Sequence, residues 1–426
     1  MATADTPPST FIKPDVERIR ADFPSLTGDL AYFDSVASSL TPQPVIDALV
    51  DYYQNYRANV HRGSYDLSIR ASERFDESIQ TIASLIGADP DEVVLTQNAT
   101  HAINLAALTI PFSSGDEVVL SSLEHTSNMA PWMRAAGIFD LKVRWYKSGR
   151  SEQFDLDRFT ELLTPRTKVV ALAQVSNVIG STTPVEEIGK ICRERDIYFL
   201  VDAAQSVPHM PVDVKAIGCD FLAFSGHKML GPTGVGVLYV RRDRGDTLMP
   251  AMLGGGTIDT TSCAAPSLDG CVLEHCSFTG LPHKWQAGTP PIAETIALAA
   301  AADYLRNVGY EWIAEHEVAL LRRLLEGLKA IPGVDIHGPQ GLEGRTSIVS
   351  FNVAGIPPEE VGRILSDNYQ VAVRAGQHCA VNYFFKELHE KVEHPGNVRA
   401  GIYLYNTLED VERLLNGVRD IAALVR

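Results

Sequence analysis

The sequence predicts an α/β protein with a large, mainly parallel sheet and a smaller α+β domain at the C-terminal end. Unbroken apolar runs such as 168–175 and 197–204 are typical of strands covered on both faces. Amphipathic helical patterns such as 185–196 lie between these runs, as in a parallel sheet with crossover helices. After about residue 290 longer helices and shorter strands follow, so we expect a second domain there.

The elements follow in chain order. Residues 1–30 predict a polar tail and a short helix over 14–23, and we expect this segment to pack with the small domain. The large domain is predicted over 31–290, with its helix at 185–196 and strands at 92–96, 117–122, 168–175, 197–204 and 234–240. The small domain is predicted over 291–426, with strands at 346–353 and 371–376 and helices at 292–308, 311–330, 357–368 and 408–424.

Composition excludes several classes of function. The chain has 426 residues and a net charge of −16, without a basic run, so we expect no nucleic acid and no anionic membrane as partner. No stretch approaches the ~18 apolar residues of a membrane span, and the N-terminus lacks the pattern of a secretory signal. Six cysteines are scattered along the chain, which is not a disulfide framework. These features predict a cytoplasmic protein with reduced thiols.

A lysine and an aspartate are the first candidates for chemistry. Lys228 follows the apolar run FLAF and precedes the glycine-rich GPTGVG, and Asp202 ends an apolar strand. Burial lowers the pKa of a lysine, and a neutral amine is the nucleophile that binds pyridoxal phosphate. That cofactor also needs an acid beside its ring nitrogen. From these two residues alone, a surface lysine and a helix-capping aspartate remain equally open.

The surroundings add groups that could bind a phosphate. Ser225 and His227 flank the lysine, and Thr100 lies where a helix should begin. Hydroxyls and free N–H groups at a helix N-terminus form an anion site.

Motifs along nearly the whole chain then point to one family. They include YFDSVASSLTPQPV (32–45), NVHRGSYDLS (59–68), LEHTSNMAPW (123–132), QVSNVIG (174–180), VDAAQ (201–205), SGHK (225–228), QAGTP (286–290), VRAGQHCA (373–380) and VRAGIYLYNT (398–407). This set resembles the class V aminotransferases of fold-type I, and most of all the group II cysteine desulfurases and selenocysteine lyases. The resemblance implies a large domain built on a seven-stranded, mainly parallel sheet that binds pyridoxal 5′-phosphate, and a small domain carrying a catalytic cysteine loop.

The resemblance also implies roles for the cofactor site. Lys228 would bind the cofactor covalently and Asp202 would pair with its ring nitrogen. His125 would stack on the ring and act in catalysis, although a histidine taken alone is more often an ordinary core residue. The remaining groups would hold the phenolic oxygen (Asn177 and Gln205) and the phosphate (Thr100, Ser225 and His227). Gly288 and Thr289 would complete the phosphate site of a neighbouring subunit, which implies a homodimer.

Cys379 distinguishes the reaction. It follows His378 directly and Arg374 by five residues in a glycine-containing loop. These neighbours are reasons for a lowered pKa and hence a reactive thiol. The alternative is a small buried core residue. The resemblance implies that Cys379 attacks the sulfur of L-cysteine or L-selenocysteine, keeps it as a persulfide and releases L-alanine, and that Arg399 and Arg374 bind the substrate, with Asn177 beside them. The sulfur would pass to an acceptor protein or scaffold for iron–sulfur or thiocofactor assembly.

Three departures from the family pattern stand out. The phosphate turn reads Asn98-Ala99-Thr100, with one hydroxyl fewer than the family's Gly-Thr-Thr, so weaker phosphate contacts are expected there. Cys379 and Arg399 are 20 residues apart, farther than in the family, so access to the site could differ. Cys263, Cys271 and Cys276 form a C-x7-C-x4-C pattern, which is not a standard zinc or cluster motif, and we expect no metal.

Three functions are compatible with the sequence. The first is a cysteine desulfurase. The second is another pyridoxal-phosphate-dependent C–S lyase or aminotransferase, for which Cys379 would be dispensable. The third is a scaffold protein without catalysis. Against it argues the presence of all four candidate site residues: Asp202, Lys228, Cys379 and Arg399.

Overall fold

The computed structural model describes residues 15–147, 153–262, 272–384 and 395–425. The strands are β1 (Ala31–Tyr32), β2 (Val93–Thr96), β3 (Glu117–Ser121), β4 (Lys142–Tyr146), β5 (Thr167–Ala173), β6 (Tyr198–Asp202), β7 (Phe221–Ser225), β8 (Gly236–Val240), β9 (Ile258–Thr261), β10 (Cys276–Phe278), β11 (Val334–His337), β12 (Ile348–Val353), β13 (Val371–Ala372), β14 (Arg374–Gly376) and β15 (Asn397–Gly401). The helices are α1 (Val16–Ala21), α2 (Gln43–Asn55), α3 (Asp66–Leu85), α4 (Ala99–Thr109), α5 (Ala130–Phe139), α6 (Leu156–Leu162), α7 (Val185–Glu194), α8 (Val214–Ile217), α9 (Arg242–Thr247), α10 (Ile292–Val308), α11 (Tyr310–Lys329), α12 (Pro358–Tyr369), α13 (Val381–Tyr383) and α14 (Leu408–Ala423). Within these ranges no helix combines the length and apolar character of a membrane span.

A seven-stranded sheet lies at the centre of the N-terminal part of the chain. Its strand order is β2-β8-β7-β6-β5-β3-β4. The pairs that join β7, β6, β5, β3 and β4 are parallel, whereas β8 is antiparallel to both β7 and β2. The predicted fold class, an α/β protein with a mainly parallel seven-stranded sheet, is confirmed.

Both faces of this sheet are covered by helices. On β5, Val170 and Leu172 pack into a cluster with side chains of α3, α7 and α10, and Val169 and Ala171 pack into a second cluster with α4 and α5. A strand that is buried on both sides needs apolar residues at every position, which explains the unbroken apolar runs in the sequence.

A second layer forms from the C-terminal part of the chain. Its four-stranded antiparallel sheet has the order β11-β12-β15-β14 and packs against α11, α12 and α14. Strand β1 pairs with β13, and Ala31 and Phe33 join the core of this layer. Arg20 of α1 forms a 3.0 Å ion pair with Asp410 of α14, whereas residues 1–14 of the predicted N-terminal segment lie outside the described residues.

Several elements differ from the sequence-based expectation. The run predicted as one strand over 371–376 forms two strands, β13 and β14, which belong to different sheets. Strand β4 was not predicted because it is an edge strand with the mixed sequence KVRWY and only its last residue is buried. The apolar run predicted as a strand over 92–96 begins as a 3₁₀ turn, Pro90–Glu92, before β2 starts at Val93. The proline and the acidic residues of that turn explain the later start.

Two helix glycines provide a test of the close packing of α7 against α8. A Cβ added to Gly189 in α7 would lie 1.8 Å from the carbonyl oxygen of Ile217, whereas a Cβ at Gly137 in α5 would have no atom within 4 Å. We expect Gly189→Ala to lower the free energy of unfolding by about 3 kcal/mol, because the backbone of α8 must move. We expect Gly137→Ala to raise it by ~0.5–1 kcal/mol through helix propensity. Urea denaturation of the two variants checks this, and equal shifts would contradict it.

Candidate active site

A cavity of about 260 Å³ lies at the carboxyl ends of the central parallel strands. Asp202 ends β6, Lys228 lies three residues beyond β7, and Asn177 follows β5; all three line the cavity. The carboxyl ends of parallel strands meet at one edge of a sheet, which is where α/β proteins bind ligands. The structure thus brings together side chains that are far apart in sequence.

The C-terminal layer closes the other side of this cavity. Arg374, Cys379 and Arg399 line it, and they come from β14, from the loop that follows β14, and from β15. The two predicted substrate arginines and the predicted nucleophile therefore face Lys228 across one pocket.

The electrostatics of Lys228 favour its neutral form. Burial lowers the pKa of this amine, Asp202 opposes the shift, and the positive charge of Arg399 adds to it. A lysine with a lowered pKa is available as a nucleophile and as a base near neutral pH.

Asp202 is buried, with one carboxylate oxygen, Oδ1, accepting a hydrogen bond from the N–H of Ala204 at 3.0 Å. Burial raises the pKa of Asp202, while the Ala204 N–H and Lys228 stabilise its charged form. A second buried carboxyl group, Glu124, lies nearby and accepts from Asn128 at 2.6 Å and from the N–H of Ala173 at 2.9 Å. Burial raises the pKa of Glu124 well above its usual range, and the charge of Asp202 adds to this. Two buried carboxyl groups therefore lie close together here, and Asp202 is the one that lines the cavity.

Polar groups that could bind an anion lie at the N-terminus of α4. The N–H of Ala99 donates to Ser225 Oγ at 2.9 Å, and Thr100 Oγ1 lies 2.6 Å from Ser127 Oγ. His227 lines the same end of the cavity, and burial lowers its pKa to about 4. Hydroxyls, a helix N-terminus and imidazole N–H groups together suit a phosphate. Ser127 adds a hydroxyl at the turn where the sequence lacks one at Ala99.

His125 is held as a neutral imidazole. Burial lowers its pKa to about 3, with Lys228 and Arg399 acting in the same direction. Its Nδ1 accepts a hydrogen bond from the N–H of Ser127 at 3.1 Å, so the ring hydrogen sits on Nε2. A neutral ring with a fixed tautomer can stack on an aromatic ligand and can donate a hydrogen bond.

Gln205 and Asn177, the two amides predicted for the phenolic oxygen, have other contacts. Gln205 Nε2 donates to the carbonyl oxygen of Val36 at 2.8 Å, and its Oε1 is buried without a hydrogen-bond partner among the described residues. Asn177 Nδ2 donates to the carbonyl oxygen of His378 at 2.8 Å. Each amide nitrogen carries a second hydrogen, so both remain capable of reaching a ligand in the cavity.

Asp34, which sequence reasoning missed, connects the two arginines. Its carboxylate lies 3.7 Å from both the Arg374 and the Arg399 guanidinium groups. Arg399 is buried and donates through Nη1 to the carbonyl oxygen of Asn177 at 2.9 Å, while its Nε is without a partner among the described residues. Burial lowers the pKa of Arg399 to about 10, so it stays charged at neutral pH. A buried cation with a free donor is suited to a substrate carboxylate.

Cys379 lies in a tightly turned loop and is solvent-accessible. Both His378 (φ +51°) and Cys379 (φ +55°) adopt the left-handed backbone conformation. The carbonyl oxygen of Cys379 accepts two hydrogen bonds of 2.7 Å from Thr126, one from its N–H and one from its hydroxyl. The side chain of Cys379 is thus accessible while its backbone is held in place.

The structure does not bring Thr289 to the Lys228 cavity within one chain. Gly288 and Thr289 line a separate cavity of about 860 Å³, together with His61, Arg62 and His283. This placement is compatible with the prediction that Thr289 serves a neighbouring subunit, which stays a prediction.

The C-x7-C-x4-C pattern falls mostly outside the described residues. Cys263 and Cys271 lie outside these residues, as does most of the longer segment between Cys379 and Arg399, and Cys276 is half-buried on β10. In the described ranges no three His, Cys, Asp or Glu side chains are grouped as metal ligands.

The donor set of the cavity fits pyridoxal phosphate. An amine of lowered pKa, a buried carboxyl group that lines the cavity, a neutral histidine and the polar groups at the N-terminus of α4 match the aldehyde, ring nitrogen, ring face and phosphate of that cofactor. Sequence reasoning missed Asp34, Ser127 and Thr126, although all three lie within motifs that were recognised. Their side-chain partners come from distant segments, and local sequence carries no signal for such contacts.

Comparison with known proteins agrees with this geometry. The aminotransferase class-V family model matches residues 31–414. The cysteine desulfurase of Haloferax volcanii is 37% identical over 426 aligned residues, which cover 95% of this chain and 96% of that protein.

Two solved structures share the fold over the full length. The apo structure of the cysteine desulfurase from Thermococcus onnurineus is 39% identical, with a TM-score of 0.88 and coverage of 99% of this chain and 100% of that chain. The S-sulfonic acid form of the cysteine desulfurase CsdA from Escherichia coli is 31% identical, with a TM-score of 0.85 and coverage of 96% and 99%. The chain therefore belongs to the class-V aminotransferase family, in which these full-length relatives are cysteine desulfurases.

Proposed function

We propose that this chain is a pyridoxal-phosphate-dependent cysteine desulfurase that converts L-cysteine to L-alanine and retains the sulfur as a persulfide on Cys379. One observation carries the proposal: an accessible thiol lines the same cavity as Lys228, Asp202 and Arg399. A lyase or an aminotransferase would need the lysine and the cofactor site but not the thiol.

The bound cofactor withdraws electrons from the α- and β-carbons of the substrate. The protein groups have complementary tasks. Asp202, whose charged form the Ala204 N–H and Lys228 stabilise, would keep a proton on the ring nitrogen. Lys228, whose pKa is lowered by burial, holds the cofactor and moves the α-proton of the substrate. His125, with its hydrogen on Nε2, covers the ring face and donates without carrying a charge.

Arg399 orients the substrate through its carboxylate. Its Nη1 is fixed on the carbonyl oxygen of Asn177, so the remaining donors have a defined direction. Arg374 lies directly opposite in the register of β14 and β15 and adds a second positive charge. Correct orientation places the substrate sulfur towards Cys379 rather than towards solvent.

The sulfur step is a displacement at the substrate sulfur. The Cys379 thiolate forms an S–S bond with that sulfur as the C–S bond breaks, and the electron pair of the C–S bond remains with the substrate carbon. The sulfur is oxidised and the carbon is reduced, so protonation of the carbon yields alanine without an external redox partner. A thiolate is the nucleophile for such an attack. L-selenocysteine would serve as a substrate through the same contacts.

We further infer a homodimer with shared sites, and an acceptor protein or scaffold that takes the persulfide sulfur for iron–sulfur or thiocofactor assembly. The separation of Thr289 from the Lys228 cavity in one chain supports shared sites. The accessibility of Cys379 supports transfer to an acceptor. Because this thiol must stay reduced between turnovers, we infer a cytoplasmic location.

Lysine labelling tests the cofactor assignment. We expect the purified protein to be yellow and borohydride reduction to fix a pyridoxyl group on Lys228, because its amine, whose pKa burial lowers, lines the cavity. Lys228→Ala should lose the label. Lys284 is an internal control, since burial also lowers its pKa but its Nζ donates to the carbonyl oxygen of Asp246 at 2.8 Å. Peptide mapping by mass spectrometry that finds the label on Lys284, or on no lysine, would contradict the assignment.

Subunit mixing tests the shared site. We expect sedimentation to show a homodimer. The Lys228→Ala and Thr289→Ala variants should each be impaired alone. Mixed dimers of the two should have about half of the native activity, because one of the two sites is then intact. A fully active monomer, or mixed dimers no better than the parent variants, would contradict this.

Cys379→Ser tests the reaction. The variant should keep the cofactor and bind L-cysteine, because Lys228, Asp202 and Arg399 remain, but should lose sulfur transfer by roughly 100-fold or more, since a serine hydroxyl is not ionised at neutral pH. Alanine and sulfide production from L-cysteine and the mass of the Cys379 peptide are the measurements. Cys276 is half-buried and does not line the cavity, so Cys276→Ser is the matched control and should react like the native chain. If Cys379→Ser forms alanine or pyruvate at the native rate, the lyase or aminotransferase function replaces the desulfurase.

A further inference from the structure

The backbone of the Cys379 loop is held in an unfavourable conformation. His378 and Cys379 are consecutive non-glycine residues with φ values of +51° and +55°. Such residues avoid the left-handed region because Cβ crowds the following carbonyl oxygen. They persist there only where surrounding contacts over-determine the backbone, which is found mostly at functional sites.

Three side chains supply these contacts. Asn177 donates to the carbonyl oxygen of His378 at 2.8 Å, and His378 Nε2 donates to the carbonyl oxygen of Asn397 at 3.1 Å. Thr126 makes the pair of 2.7 Å bonds to the carbonyl oxygen of Cys379 itself. Of these, only Thr126 bonds to the carbonyl oxygen of Cys379 itself, and it does so from the opposite layer of the protein.

Thr126 also belongs to a segment that contacts three parts of the site. His125 lines the cavity beside Lys228, and Ser127 Oγ lies 2.6 Å from Thr100 Oγ1 at the N-terminus of α4. Thr126 lies between them and reaches the Cys379 loop. The 125–127 segment therefore sets the position of the loop relative to the groups that hold the cofactor.

We propose that Thr126 is a positioning residue for Cys379: its hydroxyl, together with its N–H, keeps the nucleophile in the left-handed conformation from which the thiol reaches the substrate sulfur. This inference rests on the proposed desulfurase function and adds a determinant of the sulfur step. Thr126 does not touch substrate or cofactor in this scheme, so its removal should affect the rate of sulfur transfer and not the binding of L-cysteine.

The experiment compares Thr126→Val, Thr126→Ser and the native holoenzyme. Valine removes the hydroxyl at nearly constant shape, while serine keeps it. We expect Thr126→Val to lower kcat for persulfide formation by about threefold to tenfold, as for the loss of one neutral hydrogen bond, with KM for L-cysteine and the cofactor absorbance unchanged. Thr126→Ser should stay near the native rate. Thr160→Val is the matched control, because the hydroxyl of Thr160 bonds only locally to the carbonyl oxygen of Leu156.

A second measurement does not depend on turnover. Hydrogen exchange of the peptide spanning 374–384 in the cofactor-free protein should become faster in Thr126→Val and stay native in Thr126→Ser and Thr160→Val, because the loop has lost one of its restraints.

The outcomes separate this inference from the proposed function. If the native chain forms no persulfide on Cys379, the desulfurase function is wrong, whatever the exchange rates show. If the native chain forms it and Thr126→Val equals the native chain in kcat or in loop exchange, only the role of Thr126 is wrong. A Thr126→Ser variant as slow as Thr126→Val, or a rise in KM with loss of cofactor, would likewise overturn it, since the effect would then be a general structural one.

Discussion

The central parallel strands are aligned so that their carboxyl ends lie side by side, and the site depends on this alignment. Ala173 of β5 pairs with Asp202 of β6, and Asp202 pairs with Ala223 of β7, so these strands end close to one line. Asp202 is thereby at the edge of the sheet, and the turn that carries Lys228 begins beside it. A slip of one residue would turn Asp202 to the other face of the sheet, among apolar side chains. Burying the carboxyl group of Asp202 among apolar side chains costs free energy, so the register that places the acid near the amine is favoured.

The C-terminal layer contributes charge that must be balanced. Arg374 and Arg399 are direct cross-strand partners, a position in which like charges repel. Asp34 lies 3.7 Å from each of them and comes from the segment that enters through this layer before the large sheet begins. One carboxylate between two guanidinium groups leaves a net positive charge, which suits a substrate carboxylate. The N-terminal motif that contains Asp34 is thus part of the electrostatics of the site.

Asn177 links the substrate side of the cavity to the nucleophile. Its carbonyl oxygen accepts from Arg399, and its side chain donates to the carbonyl oxygen of His378, next to Cys379. A single residue therefore fixes both the group proposed to bind the carboxylate and the loop proposed to accept the sulfur. The sequence motif around Asn177 predicted contact with the cofactor, but the structure shows that its described hydrogen bonds hold the C-terminal layer against the sheet.

The sequence by itself determined the fold class, most strands and helices, and the identity of Lys228, Asp202, Arg399 and Cys379 as candidates. It could do so because continuous apolar runs report burial on both faces, and because short motifs retain the residues that the chemistry requires. The edge strand β4 escaped prediction because only its last residue is buried and its sequence is mixed. Only the tertiary structure decided that Asp34 joins two arginines, that Thr126 holds the carbonyl oxygen of Cys379 and that burial raises the pKa of Glu124 near Asp202. These contacts join residues far apart in the chain, and their strength depends on burial and orientation, which local sequence patterns do not specify.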